Sequence, residues 1–325
     1  MSVPRHPLRL RPLLKRTLWG GRKLGERLGK PIGDGSDYAE SWEVVDHGED
    51  QSVVDGGPFD GMTLAAMLDQ FGDALLGPGL ARRSFPLLLK YLDCNRVLSV
   101  QVHPNDAQGS RLDPPDLGKT EAWYVVEAEE NATIFAGLRE GIDREAFRAA
   151  IDSGQCAQVL HQFKPQAGDV VFIPAGTVHA LGAGLVIAEI QQSSDTTFRL
   201  FDWNRVDADG NARPLHLDQG LAVTDYETGP IHPIRADAEH LGRQTVIACD
   251  KFTLDMVCRG TAEFGGRPHF EILTVPRGTA TLTVGDEETT LETGETRLLP
   301  AQMDSGSVEV GEDSVVMLCG PASRG

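Results

Sequence analysis

Cysteine is scarce in this 325-residue chain: five are scattered at Cys94, Cys156, Cys249, Cys258 and Cys319, and none forms a CxxC pair. An odd number at wide spacing argues against a disulfide framework and points to a reducing, cytoplasmic setting. Positive charge is also short. Thirty Lys and Arg stand against 48 Asp and Glu, a net charge of −18. An acidic surface repels nucleic-acid phosphates and anionic lipid, so neither is expected as a partner. An anionic small molecule needs a pocket that gathers local cations. No apolar run approaches the length of a membrane span. The basic residues near the N-terminus (Arg5, Arg9, Arg11, Lys15, Arg16) come without the apolar stretch of a secretory signal, and serine is too sparse for a transit peptide.

Apolar residues make up 40% of the chain, enough for a sizeable core, and the length fits two domains or one large β domain with additions. Glycine and proline punctuate short strand-like runs. Ser41–Val45, Phe85–Leu92, Val97–Val102, Gly118–Val126, Val170–Ile173 and Leu185–Ile190 are rich in β-branched and aromatic residues, which suits strands. Apolar residues spaced by three and four predict helices over Met62–Leu76 and Ile142–Leu160. Gly25–Lys30 superficially resembles a phosphate-binding loop, but the glycine spacing is wrong and Pro31 stands where Ser or Thr is required. Asp207–Asn211 reads as a turn rather than a calcium loop, because its glycine is misplaced.

From about Thr245 onward the pattern is short strands and Gly-rich turns, an all-β module. Within it, Gly294-Glu295-Thr296-Arg297-Leu298-Leu299-Pro300 repeats the layout of Gly168-Asp169-Val170-Val171-Phe172-Ile173-Pro174, and Ser305 falls where the first copy has His179. The chain therefore reads as two copies of one β unit: 1–240 with a metal site and helical additions, 241–325 without a metal.

Four residues in strand settings have metal-ligand character: Gln101, His103, Glu121 and His179. Gln101 and His103 are two apart and share a strand face. Glu121 and His179 belong to two other strands, and ligands from separate strands converge inside a barrel. Two imidazoles, a carboxylate and an amide oxygen suit zinc or a similar divalent ion. Lys119 lies two residues from Glu121, on the same face of an unbroken strand. Lys90 interrupts an apolar run, and its spacing favours an edge position facing water over a charge placed in a pocket.

Gly168, Pro174, Gly176 and His179 match the second cupin motif, while Gln101-Val102-His103 departs from the two histidines usual in the first. That departure resembles the type I phosphomannose isomerases. PLLKRTLWGGRKLG near the N-terminus, ESWEV, SVQVHPND, GKTEAWYV, IPAGTVHALGAG and AEIQQSSDTTFRLFDW resemble the same family, in its order, across most of residues 8–205. The chain lacks room for the large helical insertion of longer members and is similar to the short, bacterial-type branch. The resemblance implies a mostly β fold of two cupin-type jelly-roll barrels, with a few short helices on the N-terminal unit. It implies one zinc ion per chain at His103, Glu121 and His179, with Gln101 as a fourth ligand. It implies isomerisation of mannose 6-phosphate and fructose 6-phosphate by proton transfer through an enediol. Arg199, Lys119 and Glu189 are the implied catalytic residues, with Glu189 as the base. Lys90, Lys119 and Arg199 are the candidate cations for the sugar phosphate. Longer members carry an aromatic hydroxyl two residues after the last histidine, where this chain has Leu181. Alternatives left open are another metal-dependent cupin enzyme and a non-catalytic sugar-phosphate-binding or regulatory protein. For Arg199 the competing reading is a surface arginine paired with Asp195 or Asp202. Oligomeric state is open, with a monomer as the simpler expectation.

Overall fold

The computed structural model describes residues 3–80, 84–206 and 210–322. Asp207, Ala208 and Asp209 of the expected turn lie outside the described residues. The chain is mostly β with short helices, and it packs into two compact units. One takes its residues from Met1–Leu92, Ala188–Ser193 and Arg235–Gly325, the other from Asp93–Ile187 and Ser194–Ile234. This grouping by packing is a different division from the one at 240/241 that follows the two β modules.

In the unit built from the middle of the chain, five antiparallel strands form one sheet. Their order is Leu160–Phe163, Ile134–Leu138, His179–Leu181, Val100–Val102 and Phe198–Phe201. Strand alternation divides the residue types between its faces. Val100, Val102, Ala180, Phe198 and Leu200 join one apolar cluster with Phe147 and Ile151 of the helix Arg144–Asp152 and Leu221 of the helix Leu217–Val223. Gln101, His179 and Arg199 alternate with these residues and stand on the opposite face. A further antiparallel pair joins Glu121–Ala128 to Asp169–Ile173, with Glu121 opposite Ile173.

In the other unit, Tyr38–Val44 pairs with Leu13–Gly21 on one side and with Leu87–Cys94 on the other, placing Trp42 opposite Lys90. The C-terminal module is all β, as the sequence predicts. Five strands, Arg243–Ala248, Phe252–Val257, Val315–Pro321, Glu271–Arg277 and Thr296–Leu299, form one sheet. Thr261–Phe264, Gly306–Val310, Ala280–Val284 and Glu287–Leu291 form another. Val257, Leu273 and Leu318 of the first sheet share a core with Phe264, Leu282 and Val308 of the second. The N-terminal residues pack with this module: Leu8 bridges to Leu298, the Phe85 and Phe270 rings lie 4.5 Å apart, and the Lys30 ammonium donates to the Gly294 carbonyl at 2.6 Å.

Both predicted helices are broken by glycine. Met62–Leu76 becomes Leu64–Phe71 and Asp73–Leu76, divided at Gly72 with φ +38°. Ile142–Leu160 becomes Arg144–Asp152 and Cys156–Val159, parted by Gly154 at φ +73°. Apolar spacing is blind to a left-handed residue, which a helix interior excludes. Among the described residues no helix is long and apolar enough to cross a membrane.

Candidate metal centre

The sheet register assembles the site. Gln101 is the direct partner of His179 on one side and of Arg199 on the other. Residues opposite one another on neighbouring strands present their side chains to the same face. One row thus carries a histidine, an amide and a guanidinium, and His103 follows Gln101 on the same face just past the strand's last residue, Val102. Glu121 enters from its own strand.

His103, Glu121 and His179 are each at most 1% exposed, and one ligand atom from each lies within 4.8 Å of the others. The His179 Nε2 is 3.3 Å from one Glu121 oxygen, and the His103 Nε2 is 3.6 Å from the other. Zinc bonds of about 2.1 Å in tetrahedral array separate neighbouring ligand atoms by about 3.4 Å, so this spacing fits an ion. Each ring is oriented by a backbone carbonyl: His103 Nδ1 faces Thr196 O at 3.0 Å and His179 Nδ1 faces Thr177 O at 2.9 Å. A carbonyl can only accept, so Nδ1 carries the proton in both rings. The neutral ring's lone pair then sits on Nε2, toward Glu121, as metal ligation requires. Trp123, two residues beyond Glu121, packs edge-on against His179 at 5.3 Å and seals that side.

Lys119 reaches this cluster, but not as a strand residue. The strand begins at Glu121, and Lys119 sits in the preceding loop with its amide donating to Pro104 O at 2.9 Å. Its ammonium lies 2.8 Å from Glu121 and 3.3 Å from His103 Nε2. The shared-face argument for Lys119 is therefore replaced by loop anchoring.

Arg199 is half-buried. It does not take the surface pairing with Asp195 or Asp202: Asp195 is exposed, and Asp202 is bridged by Arg205 and Arg213. Arg199 Nη1 donates to Pro214 O at 2.9 Å, and its buried Nε has no hydrogen-bond partner. Burial lowers the Arg199 pKa, Arg213 and Arg205 lower it further, and Asp202 opposes them. A guanidinium never loses its proton at neutral pH, so Arg199 keeps a fixed positive charge on this sheet face.

Lys90 and Glu189 belong to the other compact unit. Lys90 is not an edge residue facing water. It is 7% exposed, 3.2 Å from Glu40 and 3.3 Å from Glu189, with its ammonium 5.7 Å from the Trp42 ring centre. Sequence reasoning missed three contributors. Glu40 lies inside the ESWEV block, where the spacing alone gave it no role. Asp116 and Thr196 act through the loop that orients His103, and only a contact across the fold reveals them.

Residues 8–131 match the family described as phosphomannose isomerase type I, catalytic domain. The chain is 33% identical to mannose-6-phosphate isomerase ManA of Bacillus subtilis over 95% of its length and 98% of the relative's. The crystal structure of the mannose 6-phosphate isomerase from Bacillus subtilis superposes with a TM-score of 0.82 at 28% identity, covering 96% of this chain and 99% of that one. A crystal structure of mannose 6-phosphate isomerase bound with zinc and yttrium shares the fold, with a TM-score of 0.75 at 17% identity, over 98% of this chain and 100% of that one.

Proposed function

The chain belongs to the type I phosphomannose isomerases, a family of aldose–ketose isomerases, and we propose that it interconverts mannose 6-phosphate and fructose 6-phosphate with one zinc ion per chain. The observation that carries this reading is the buried His103–Glu121–His179 cluster, with Arg199 two strands away from His179, on the far side of Gln101. The donor set and spacing support zinc, and a solved relative of the same fold is described as zinc-bound. His103, Glu121 and His179 would hold the ion, and Gln101 would complete the set. A divalent ion there supplies Lewis-acid polarisation of the sugar carbonyl and the neighbouring hydroxyl.

The chain's own residues supply the rest. The Nδ1 hydrogen bonds to the Thr196 and Thr177 carbonyls keep both imidazoles turned with Nε2 inward. Arg199 brings a fixed positive charge and an unused Nε–H donor to the same sheet face, suited to the phosphate or to the charge that develops on the sugar oxygens. Lys119 adds a buried ammonium beside Glu121 that can donate to the same oxygens. Moving the proton between C1 and C2 requires a base, and Glu189 is the proposed one. Its carboxylate is held in place by Lys90, itself proposed as a substrate cation. The second module, from about residue 241, is proposed to be metal-free. A cytoplasmic location completes the proposal, supported by five free cysteines, with a monomer as the simpler expectation.

A coupled assay with mannose 6-phosphate and with fructose 6-phosphate, before and after chelation, tests the whole reading. Turnover in both directions, lost with chelator and restored by zinc, is expected. Absence of turnover in the zinc-loaded protein rejects it.

A further inference from the structure

Asp255 and Glu271 place two acids inside the C-terminal β module. Alternation puts Asp255 on the same side of its strand as Val257, and Glu271 on the same side as Leu273 and Val275, all part of the module's apolar core. Asp255 is 6% exposed and Glu271 1%. The cation between them is Arg243, while Arg267, on the Glu271 side alone, reaches only to 3.7 Å of Glu271 Oε1. The Arg243 Nε donates to Asp255 Oδ2 at 2.6 Å and its Nη2 to Glu271 Oε1 at 2.5 Å. The second oxygen of each acid, Asp255 Oδ1 and Glu271 Oε2, is buried without a hydrogen-bond partner. Burial opposes the charge on Arg243, but its bonds to Glu271 and Asp255 outweigh burial and raise its pKa.

The strand register says what this cluster is. Glu121 stands opposite Ile173, the residue before Pro174. Glu271 stands opposite Leu299, the residue before Pro300. Pro174 and Pro300 close the two Gly-five-Pro segments, whose glycines Gly168 and Gly294 share φ values of +91° and +90°. Glu271 is therefore the counterpart of Glu121 in the second copy of the unit. The counterpart of His179 is Ser305, which is exposed.

We infer that Asp255 and Glu271 are the remnant of a second divalent-cation site whose ion has been replaced by the guanidinium of Arg243, and that they bind a divalent cation once that guanidinium is removed. The analogy rests on the metal reading of His103, Glu121 and His179. Two buried carboxylates side by side are costly without a compensating positive charge between them. Arginine supplies one that no chelator removes and no physiological pH neutralises. Carboxylate oxygens without imidazole or thiolate favour a hard ion such as Mn²⁺ over zinc.

The test counts Mn²⁺ bound per chain, by equilibrium dialysis and mass spectrometry, in the wild type, Arg243→Ala and Arg243→Ala/Glu271→Gln. Arg243→Ala should bind one more Mn²⁺ than the wild type, and the double variant should return to the wild-type count. Mn²⁺ should also raise the melting temperature of Arg243→Ala by more than it raises that of the double variant. Arg243→Gln, which keeps much of the side-chain volume, is run in parallel and refolded with Mn²⁺ present. Equal counts in the wild type and both Arg243 variants overturn the inference, as does failure of both variants to fold with Mn²⁺. His179→Ala in the otherwise native chain reports the first site alone, so the two metal readings fail separately.

Discussion

The Nδ1 of His103 stands 3.0 Å from the carbonyl oxygen of Thr196, a residue 93 positions further along the chain. That carbonyl is held in place by Asp116, whose Oδ2 accepts from the hydroxyls of Ser194 at 2.8 Å and Thr196 at 2.7 Å. Asp116 is thus a positioning residue for a proposed metal ligand it does not touch. Asp116→Ala should weaken zinc binding about 10–100-fold, the scale for losing an outer partner of a ligand. Asp116→Asn keeps an acceptor oxygen and should recover most of the affinity. Chelator competition measures both, and unchanged affinity in Asp116→Ala removes this loop from the account.

His179→Ala removes a proposed ligand outright. The loss of zinc affinity should exceed the roughly 100-fold ceiling for an outer partner, and turnover should fall with occupancy. Zinc content and rate measured on one preparation decide this. Full retention of both refutes the assignment.

Arg199→Lys keeps the charge and loses the planar fork. We expect kcat/KM to fall by about 2–4 kcal/mol of transition-state binding, the scale of one charged donor at a reacting oxyanion. Zinc content should stay normal. Melting temperature should change little, because the side chain's Nη1 bonds a backbone carbonyl, Pro214 O, and the contact with His216 uses the Arg199 backbone amide. Native kcat/KM refutes the role, and a large drop in melting temperature reassigns Arg199 to structure.

Two histidines outside the metal cluster make stability depend on pH. Burial, then the charge of Arg199, lowers the His216 pKa below 6.5; burial, then His232 and Arg139, lowers that of His161. The unfolded chain therefore takes up these protons first. Their contribution is fully present above pH 6.5 and is lost as pH falls from there through the lower folded-state values. Melting temperature should decline with acidification in that window, and less steeply in His161→Gln/His216→Gln. Equal slopes in the two proteins dismiss both histidines.

The paired glycines offer a controlled comparison. Gly168 and Gly294 have nearly the same left-handed backbone, so alanine at either costs strain of about 1–3 kcal/mol. A Cβ at Gly168 meets nothing within 4 Å, whereas one at Gly294 comes within 2.3 Å of Leu28 O. Gly294→Ala should be the more destabilising in urea titration. Equal midpoints contradict the packing.

Much of the site was legible because strand alternation is a strict code. Gln101, His103, Glu121 and His179 were found from their strand contexts, and the structure brings His103, Glu121 and His179 together. The code failed where a side chain's fate depends on distant residues. Lys90 reads as an edge lysine until Glu40 and Glu189 are seen on either side of it. Lys119 reads as a strand residue, but the Pro104 carbonyl holds its backbone in a loop. Glu271 is invisible as a counterpart of Glu121, because the match lies in which residue stands across from it, not in the sequence around it. The helices over Met62–Leu76 and Ile142–Leu160 were placed rightly and drawn too long, since periodicity does not report backbone handedness.

The packing of Met1–Leu92 with Arg235–Gly325 sets an order of events during synthesis. Phe85 and Tyr91 emerge from the ribosome long before their partners Phe270 and Thr274 exist. At about 5–20 residues per second, the gap between them is on the order of ten to forty seconds. Throughout it, the Phe85 ring and the Tyr91 hydroxyl, both buried in the finished protein, wait without these two contacts. A message truncated before the last module would leave the Phe85 ring without Phe270 and the Tyr91 hydroxyl without Thr274 for good.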